Sequence, residues 1–346
     1  MNEVLFTCQP DAEKLALSEM REHARHAAAF RWITAGVGLL AAEREFSYWS
    51  SAPMVYVRHV CPVDAHIPMA EGAAEQARRY ILQTLGSPPY STHTAESFAV
   101  QARTLGPLGG GTKGAALDAI DQALADVGVK RASGAPDWAI SCAFTRDEIM
   151  LGISHVSQNK SPWAGGCRPF ARSGELICRS EFKLLEAIEA FDICAPHGGR
   201  ALDLGASPGG WTRVLRNSGM RVTAVDPAEL DPRVAVDPLV EHIRTTGQRY
   251  LSDSSGAPFD IIVNDMKMDA ELSADIMAQA AARLKPGADA VLTLKLPARD
   301  WQSRINAARN ILAKSYVIRD IRQLFHNRCE VTCALTTHGA ALPPDA

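Results

Sequence analysis

The sequence predicts an α/β protein, a doubly wound and mainly parallel sheet in the C-terminal half preceded by an α+β region. From residue 200 to 337, short apolar runs alternate with segments of helical periodicity. Two early runs end in an acid, Asp203 and Asp226. A Pro-, Gly- and Ser-rich passage, NKSPWAGGCRPFARSG (159–174), separates this half from one in which strand-like and helix-like pieces do not alternate. A chain of 346 residues has room for two domains at roughly 100–200 residues each. The expected division is 1–158, a linker at 159–174, and 175–340.

In the first part, VLFTC, PMVYVRHV, DWAISCAFT and EIMLGISHV read as strands, and 12–27, 71–85 and 115–127 as helices. The apolar run 33–42 reads as buried core. In the second part, RALDLG (200–205) is a strand entering a turn, and 211–218 a helix. RVTAVD (221–226) is a strand, 227–239 a loop with three prolines, and EHIRTT a third strand. FDIIVNDM (259–266) has the unbroken apolarity of a strand buried on both faces. A helix over 270–284 closes at Lys285-Pro286-Gly287, ADAVLTLKL (288–296) is a strand, and 301–313 a helix. The last two strands, YVIRDIRQLF and EVTCALTT, are joined by so short a turn that one must be antiparallel.

Composition is that of a soluble globular protein, 47% apolar and 22% charged. Net charge is −3, from 36 basic and 39 acidic residues, and neither half is strongly basic. A nucleic-acid partner would need a local basic patch. No apolar run approaches the ~18 residues of a membrane span, and the N-terminus lacks the pattern of a signal peptide. Eight scattered cysteines without C-x-x-C point to inert thiols in a reducing, cytoplasmic compartment, with no metal site. GPLGGGTKG (106–114) has G-T-K where a phosphate loop needs G-K-[ST], and reads as a flexible loop. SPPY (87–90) lacks the leading Asn or Asp of the amine-binding box of base N-methyltransferases, and reads as a turn.

The stretch ALDLGASPGGWTRVL (201–215) is the most informative. Its glycines, Gly205, Gly209 and Gly210, do not spell the dinucleotide fingerprint G-x-G-x-x-G, which argues against a nicotinamide enzyme. They still let backbone approach a ligand, and the following helix offers free N–H groups to a carboxylate. Asp226 ends the next strand 23 residues beyond Asp203, where a ribose diol would be gripped. A small ligand with a carboxylate and a ribose fits S-adenosyl-L-methionine.

D-L-G-A-S-P-G-G-W (203–211) resembles the cofactor motif of FtsJ-like RNA ribose 2′-O-methyltransferases, D-L-G-x-x-P-G-G-W/F. That family also carries a K-D-K-E tetrad, and candidates stand at matching places. These are Lys183 in RSEFKLLEAIEAF, Asp265 ending FDIIVNDM, Lys295 ending AVLTLKLP, and Glu330 opening the last strand in HNRCEVT. TLKLP (293–297), RQLFHNRCEVT (322–332) and GISHVSQNKSPW (152–163) further resemble segments of the bacterial methyltransferases that modify a cytidine ribose of large-subunit ribosomal RNA. The likeness is strong over 152–337 and weak before it. It implies a Rossmann-like SAM-dependent methyltransferase sheet behind an N-terminal THUMP-containing RNA-binding region. It also implies cofactor contacts at Ser180, Asp203, Gly205, Ser207, Pro208, Gly209, Gly210, Trp211, Asp226, Thr246 and Asp265. The implied partner is RNA, large-subunit rRNA before assembly, with no membrane; oligomeric state is not legible. The chain departs from the family at Thr246-Gly247, where an acid-Gly pair would hold the adenine amino group and Asp253 is the alternative acid, and at Cys329, where the relatives carry Glu.

A ribose hydroxyl must lose its proton and meet the methyl group in line. Lys295 is the candidate base. It must then be neutral, which desolvation and Lys183 favour and Asp265 and Glu330 oppose. A cationic Lys295 that only orients the oxygen is the alternative. Asn264 either touches substrate or caps its strand. Arg168, Arg172, Arg179, Lys314, Arg319 and Arg322 are candidate phosphate contacts, and Trp163 and Phe170 candidate stacking residues. The alternatives are a methyltransferase of another RNA, such as tRNA, and a non-catalytic RNA-binding or assembly protein that retains the fold.

Overall fold

The computed structural model describes residues 2–88, 90, 96–107, 112–132, 136–170, 175–253 and 256–338. Arg172 and parts of the 87–90 and 106–114 segments lie outside the described residues. The chain divides into two compact units, Met1–Arg168 and Pro169–Ala346.

The first unit runs β1 (Asn2–Thr7), α1 (Glu13–His23), β2 (Ala27–Thr34), β3 (Val37–Ala42), α2 (Tyr48–Ser51), β4 (His59–Val63), β5 (Ala65–Pro68), α3 (Ala73–Leu85), β6 (Ser97–Thr104), α4 (Thr112–Asp126), β7 (Lys130–Arg131), β8 (Trp138–Phe144) and β9 (Glu148–His155). An antiparallel sheet has the order β2-β3-β1-β4, and a mixed sheet the order β5-β9-β8-β6-β7. Helices α3 and α4 cover the mixed sheet, burying Ala77, Ile81, Ile120 and Leu124 with Phe98, Ile140, Phe144 and Leu151. The region is α+β, as expected.

Two details differ from the sequence reading. The helix expected over 12–27 ends at His23, and Ala27 opens β2 as a partner of Ala42. PMVYVRHV becomes a strand only at His59. Before that, the backbone N–H groups of Val55 and Tyr56 donate to the Glu19 carboxylate at 2.7 and 2.9 Å, so a side chain takes the place of a neighbouring strand. The apolar run 33–42 is indeed buried, since all of β3 is.

The second unit runs α5 (Glu181–Phe191), β10 (Arg200–Leu204), α6 (Gly210–Asn217), β11 (Arg221–Val225), α7 (Pro232–Ala235), β12 (Val240–Ile243), α8 (Gly247–Ser252), β13 (Phe259–Asn264), α9 (Ala270–Ala280), β14 (Leu284–Lys295), α10 (Trp301–Leu312), β15 (Val317–Arg322) and β16 (Glu330–Thr336). Its seven-stranded sheet has the order β12-β11-β10-β13-β14-β16-β15. The five strands from β12 to β14 are parallel, and β16 runs antiparallel to both its neighbours. Ile261, Val263 and Val291 are fully buried, as strands covered on both faces require. Helix α9 stops four residues earlier than the sequence suggested. A single 3-10 turn follows, and Lys285-Pro286-Gly287 belongs to the start of β14. The loop at 227–239 contains the short α7.

Strand order reverses between β10 and β13, because the chain builds outward from β10 to β12 and then returns to β10's other side. The carboxyl ends of β10 and β13 are therefore the switch point at which open α/β sheets bind ligands. No helix among the described residues is long and apolar enough to cross a membrane.

Candidate active site

Beyond β10 the chain turns at Gly205, whose φ is +76°. A Cβ there would fall 2.2 Å from Met266 Cγ, so only glycine lets this turn lie against the end of β13. A recess of about 400 Å³ opens here, lined by Gly205, Ser207, Asp226, Thr246, Gly247, Gln248, Asp265 and Met266 among others. Its volume is that of a small-molecule site. The Asp226 carboxylate accepts the N–H of Ser207 at 3.1 Å and of Ala228 at 2.8 Å, which fixes it at the recess wall. A half-exposed carboxylate so held has lone pairs left for a diol. The turn, the carboxylate and the volume together fit S-adenosyl-L-methionine.

The four tetrad candidates converge at one edge of this recess. Lys183, in the first turn of α5, lies 2.6 Å from Glu330 Oε1 and 3.4 Å from Asp265 Oδ1. Lys295 donates to Glu330 Oε2 at 2.7 Å and also to Asp265. Lys295 and Glu330 are paired residues in the antiparallel β14–β16 ladder, so sheet register itself sets that contact. Two amines and two carboxylates balance in charge. Burial alone would lower the Lys183 pKa, but the Asp265 and Glu330 carboxylates outweigh it and raise it above the ordinary value. Burial alone would likewise raise Glu330, and Lys295 and Lys183 hold it below the ordinary glutamate value instead.

A second, larger recess of about 1000 Å³ lies on the tetrad's other side, walled by Leu176, Arg179, Ser180, Phe182, Lys183, Phe325, His326, Arg328 and Glu330. Asp265 faces the smaller recess, and Lys183 and Glu330 the larger.

The FtsJ-like methyltransferase family matches residues 176–333, the stretch that builds this site. The ribosomal RNA large subunit methyltransferase M of Methylococcus capsulatus is 30% identical over 295 residues, covering 78% of this chain and 74% of that protein. The chain belongs to this family of FtsJ-like methyltransferases. The enzyme of the same name from Laribacter hongkongensis is 34% identical over 214 residues, 57% of this chain and 58% of that protein. Its counterpart from an Azoarcus species is 34% identical over 190 residues. The chain thus spans 50–58% of the length of the first curated relatives it matches.

Within this FtsJ-like unit, the residues expected at the cofactor divide into two groups. Gly205, Ser207, Asp226, Thr246 and Asp265 line the smaller recess. Asp203, Pro208, Gly209, Gly210 and Trp211 are not among its lining residues, and Ser180 lines the larger one. Asp203 is buried, bonded to the Thr212 hydroxyl at 2.7 Å, and ties α6 to β10. Burial pushes it up to about 7; the Thr212 bond opposes this, and Asp265 and Asp226 add to it. Trp211 is buried, and its indole N–H donates to the Ser180 carbonyl at 2.7 Å, so it braces the start of α5. The Thr246 hydroxyl caps α8 by accepting from Arg249 N. Asp253 does not line the recess, whereas Gln248 does.

Asn264 is buried, accepts Met266 N–H at 2.9 Å and donates to Ser273, which decides for capping. Arg319 is committed to Asp289 and the Phe191 carbonyl, and Arg322 to the Ala190 carbonyl. Both hold the last strands to α5 and are corrected from phosphate contacts to structural ones. Arg168 lies over the Trp163 ring at 4.1 Å, Lys314 is exposed, and Arg179 lines the larger recess. Phe170 stacks on Phe182, 5.5 Å apart and nearly parallel. All eight cysteines are free; Cys329 is exposed, and its carbonyl accepts the Leu296 N–H. Glu186, Phe325, His326 and Arg328 escaped the sequence reading. Their signal was present in RSEFKLLE and RQLFHNRCEVT, but nothing there assigned them a task.

Proposed function

We propose that this chain transfers a methyl group from S-adenosyl-L-methionine to a ribose 2′-hydroxyl of RNA, its target a cytidine of large-subunit ribosomal RNA. The observation that carries the reading is the placement of the tetrad between two recesses, one sized for a cofactor and one wide and rimmed with arginine. The relatives' name supports the choice of RNA.

S-adenosyl-L-methionine supplies an activated methyl group when bound. Asp226 would hold its ribose diol, and the Gly205 turn would admit its backbone-like end. A hydroxyl entering from the larger recess meets Lys183, which stays cationic and holds the oxygen by charge. Asp265 and Glu330 position the two amines. Lys295, having released one proton to solvent, takes the hydroxyl proton at Nζ. In that role transfer rises with pH; a Lys295 that only orients leaves it flat.

The test incubates the protein with labelled S-adenosyl-L-methionine and large-subunit rRNA lacking its modifications, beside Lys295→Ala, and digests the RNA to nucleosides. Label in 2′-O-methylcytidine that vanishes in the variant supports the reading. Label on tRNA alone replaces the substrate and keeps the chemistry. No label on any RNA overturns the activity.

A further inference from the structure

We propose that Phe325 is the platform on which the target nucleobase stacks, an inference that rests on the RNA-methylating reading above. Four large apolar side chains are exposed among the described residues, Val236, Leu272, Val317 and Phe325, and Phe325 is the aromatic one. It is 38% exposed and walls the larger recess together with Lys183 and Glu330.

The loop backbone that carries this ring is held by side chains. The buried Glu186 carboxylate accepts the N–H groups of Phe325 and His326, each at 2.8 Å. Asn327 Oδ1 accepts the N–H of Leu324 at 2.8 Å, and Gln323 donates to the Arg328 carbonyl at 2.9 Å. His326 meets Phe325 edge-on, with centroids 5.0 Å apart, and its ring also packs against the Phe170–Phe182 stack at 5.4 and 5.2 Å. The loop is cross-braced, and the ring has an aromatic buttress.

Burial does not account for the whole of this phenylalanine, because over a third of its surface stays in water. A planar partner does. Arg179 and Arg328 border the same recess and supply charge for the phosphates of a bound strand. Apolar face, cationic rim and reacting groups therefore suit a nucleotide unstacked from its neighbours and presented ribose-first.

Steady-state transfer to rRNA is compared for wild type, F325A, F325L and F325W, with cofactor affinity measured by calorimetry as the check on folding. Stacking predicts that F325A and F325L raise KM for RNA about tenfold or more. F325W should stay within about threefold of wild type, and cofactor affinity should be unchanged in all. F325L at the wild-type KM would mean simple packing and overturn the proposal. Independently of turnover, the fluorescence difference between F325W and wild type should be quenched by a cytidine-containing single-stranded RNA. No quench would also overturn it. A quench in a protein that methylates no RNA would keep the platform and refute the activity.

Discussion

Lys183 and Glu186 stand one turn apart on helix α5 and reach different parts of the same hairpin. Lys183 meets Glu330 at 2.6 Å, while Glu186 takes two backbone N–H groups of the preceding loop. One short helix thus sets both a tetrad residue and the wall beside it.

Removing the Glu186 carboxylate should therefore loosen the wall before it harms the chemistry. Glu186→Ala leaves two N–H groups without their charged acceptor and should cost about 2–3 kcal/mol in urea unfolding. Glu186→Gln keeps one acceptor oxygen and should recover about half. In steady-state assays KM for RNA should rise in the order wild type, Gln, Ala, with kcat at saturating RNA changed far less. A matching fall in kcat would show that Glu186 acts on the tetrad instead.

Glu330 sits below the ordinary glutamate value of 4.5 because two lysines outweigh its burial. Its contribution to stability is therefore fully present above pH 4.5 and is lost as pH falls through the lower folded value. Wild type should exceed Glu330→Gln by about 2 kcal/mol at neutral pH. This is less than a fully buried pair would give, since Lys295 keeps 21% of its side-chain surface. The two unfolding midpoints should converge in acid, and a constant gap would count against the ion-pair account.

Asp203 behaves oppositely. Raised by burial to about 7, it binds its proton more tightly folded than unfolded. Stability from this group is present below its ordinary value of 3.8 and is lost as pH rises to about 7. Asp203→Asn should remove that slope, gaining on wild type by on the order of 4 kcal/mol across the window. Thermal melts at pH 4 and pH 7.5 check the sign.

Asp226 is the recess carboxylate whose loss should be felt by the cofactor alone. Asp226→Ala should weaken S-adenosyl-L-methionine binding about tenfold to a hundredfold, the worth of charged hydrogen bonds to a diol. Calorimetry without RNA reads this directly, and an unchanged Kd would remove Asp226 from the ribose.

The second unit was legible because its signals are local. DLGASPGGW spells a turn, three tetrad residues stand at the ends of recognisable strands, and Lys183 stands at the start of a recognisable helix. The functions inside that turn were less so. Trp211 and Asp203 belong to the motif, yet both are buried and hold α5 and α6 from behind, which spacing alone does not reveal. The first unit hid more. Ala27 looks helical, but it pairs with Ala42 of β3. Val55 and Tyr56 look like strand, but a carboxylate 36 residues away from Val55 claims their N–H groups. Both outcomes depend on long-range partners that local propensity does not encode. Arg322 read as a candidate phosphate contact because nothing in RDIRQLF shows the Ala190 carbonyl that accepts from it.

The reversed strand β16 also bears on how such a site can change over evolutionary time. Glu330 is fixed by its ladder pairing with Lys295, whereas the residues between β15 and β16 carry Phe325, His326 and Arg328. Insertions or exchanges in that connection would reshape the wall of the larger recess while the Lys295–Glu330 pairing keeps its place. Under the proposed function, chemistry and substrate choice then rest on separable pieces of chain, and transplanting this one hairpin loop between relatives tests whether the target moves with it.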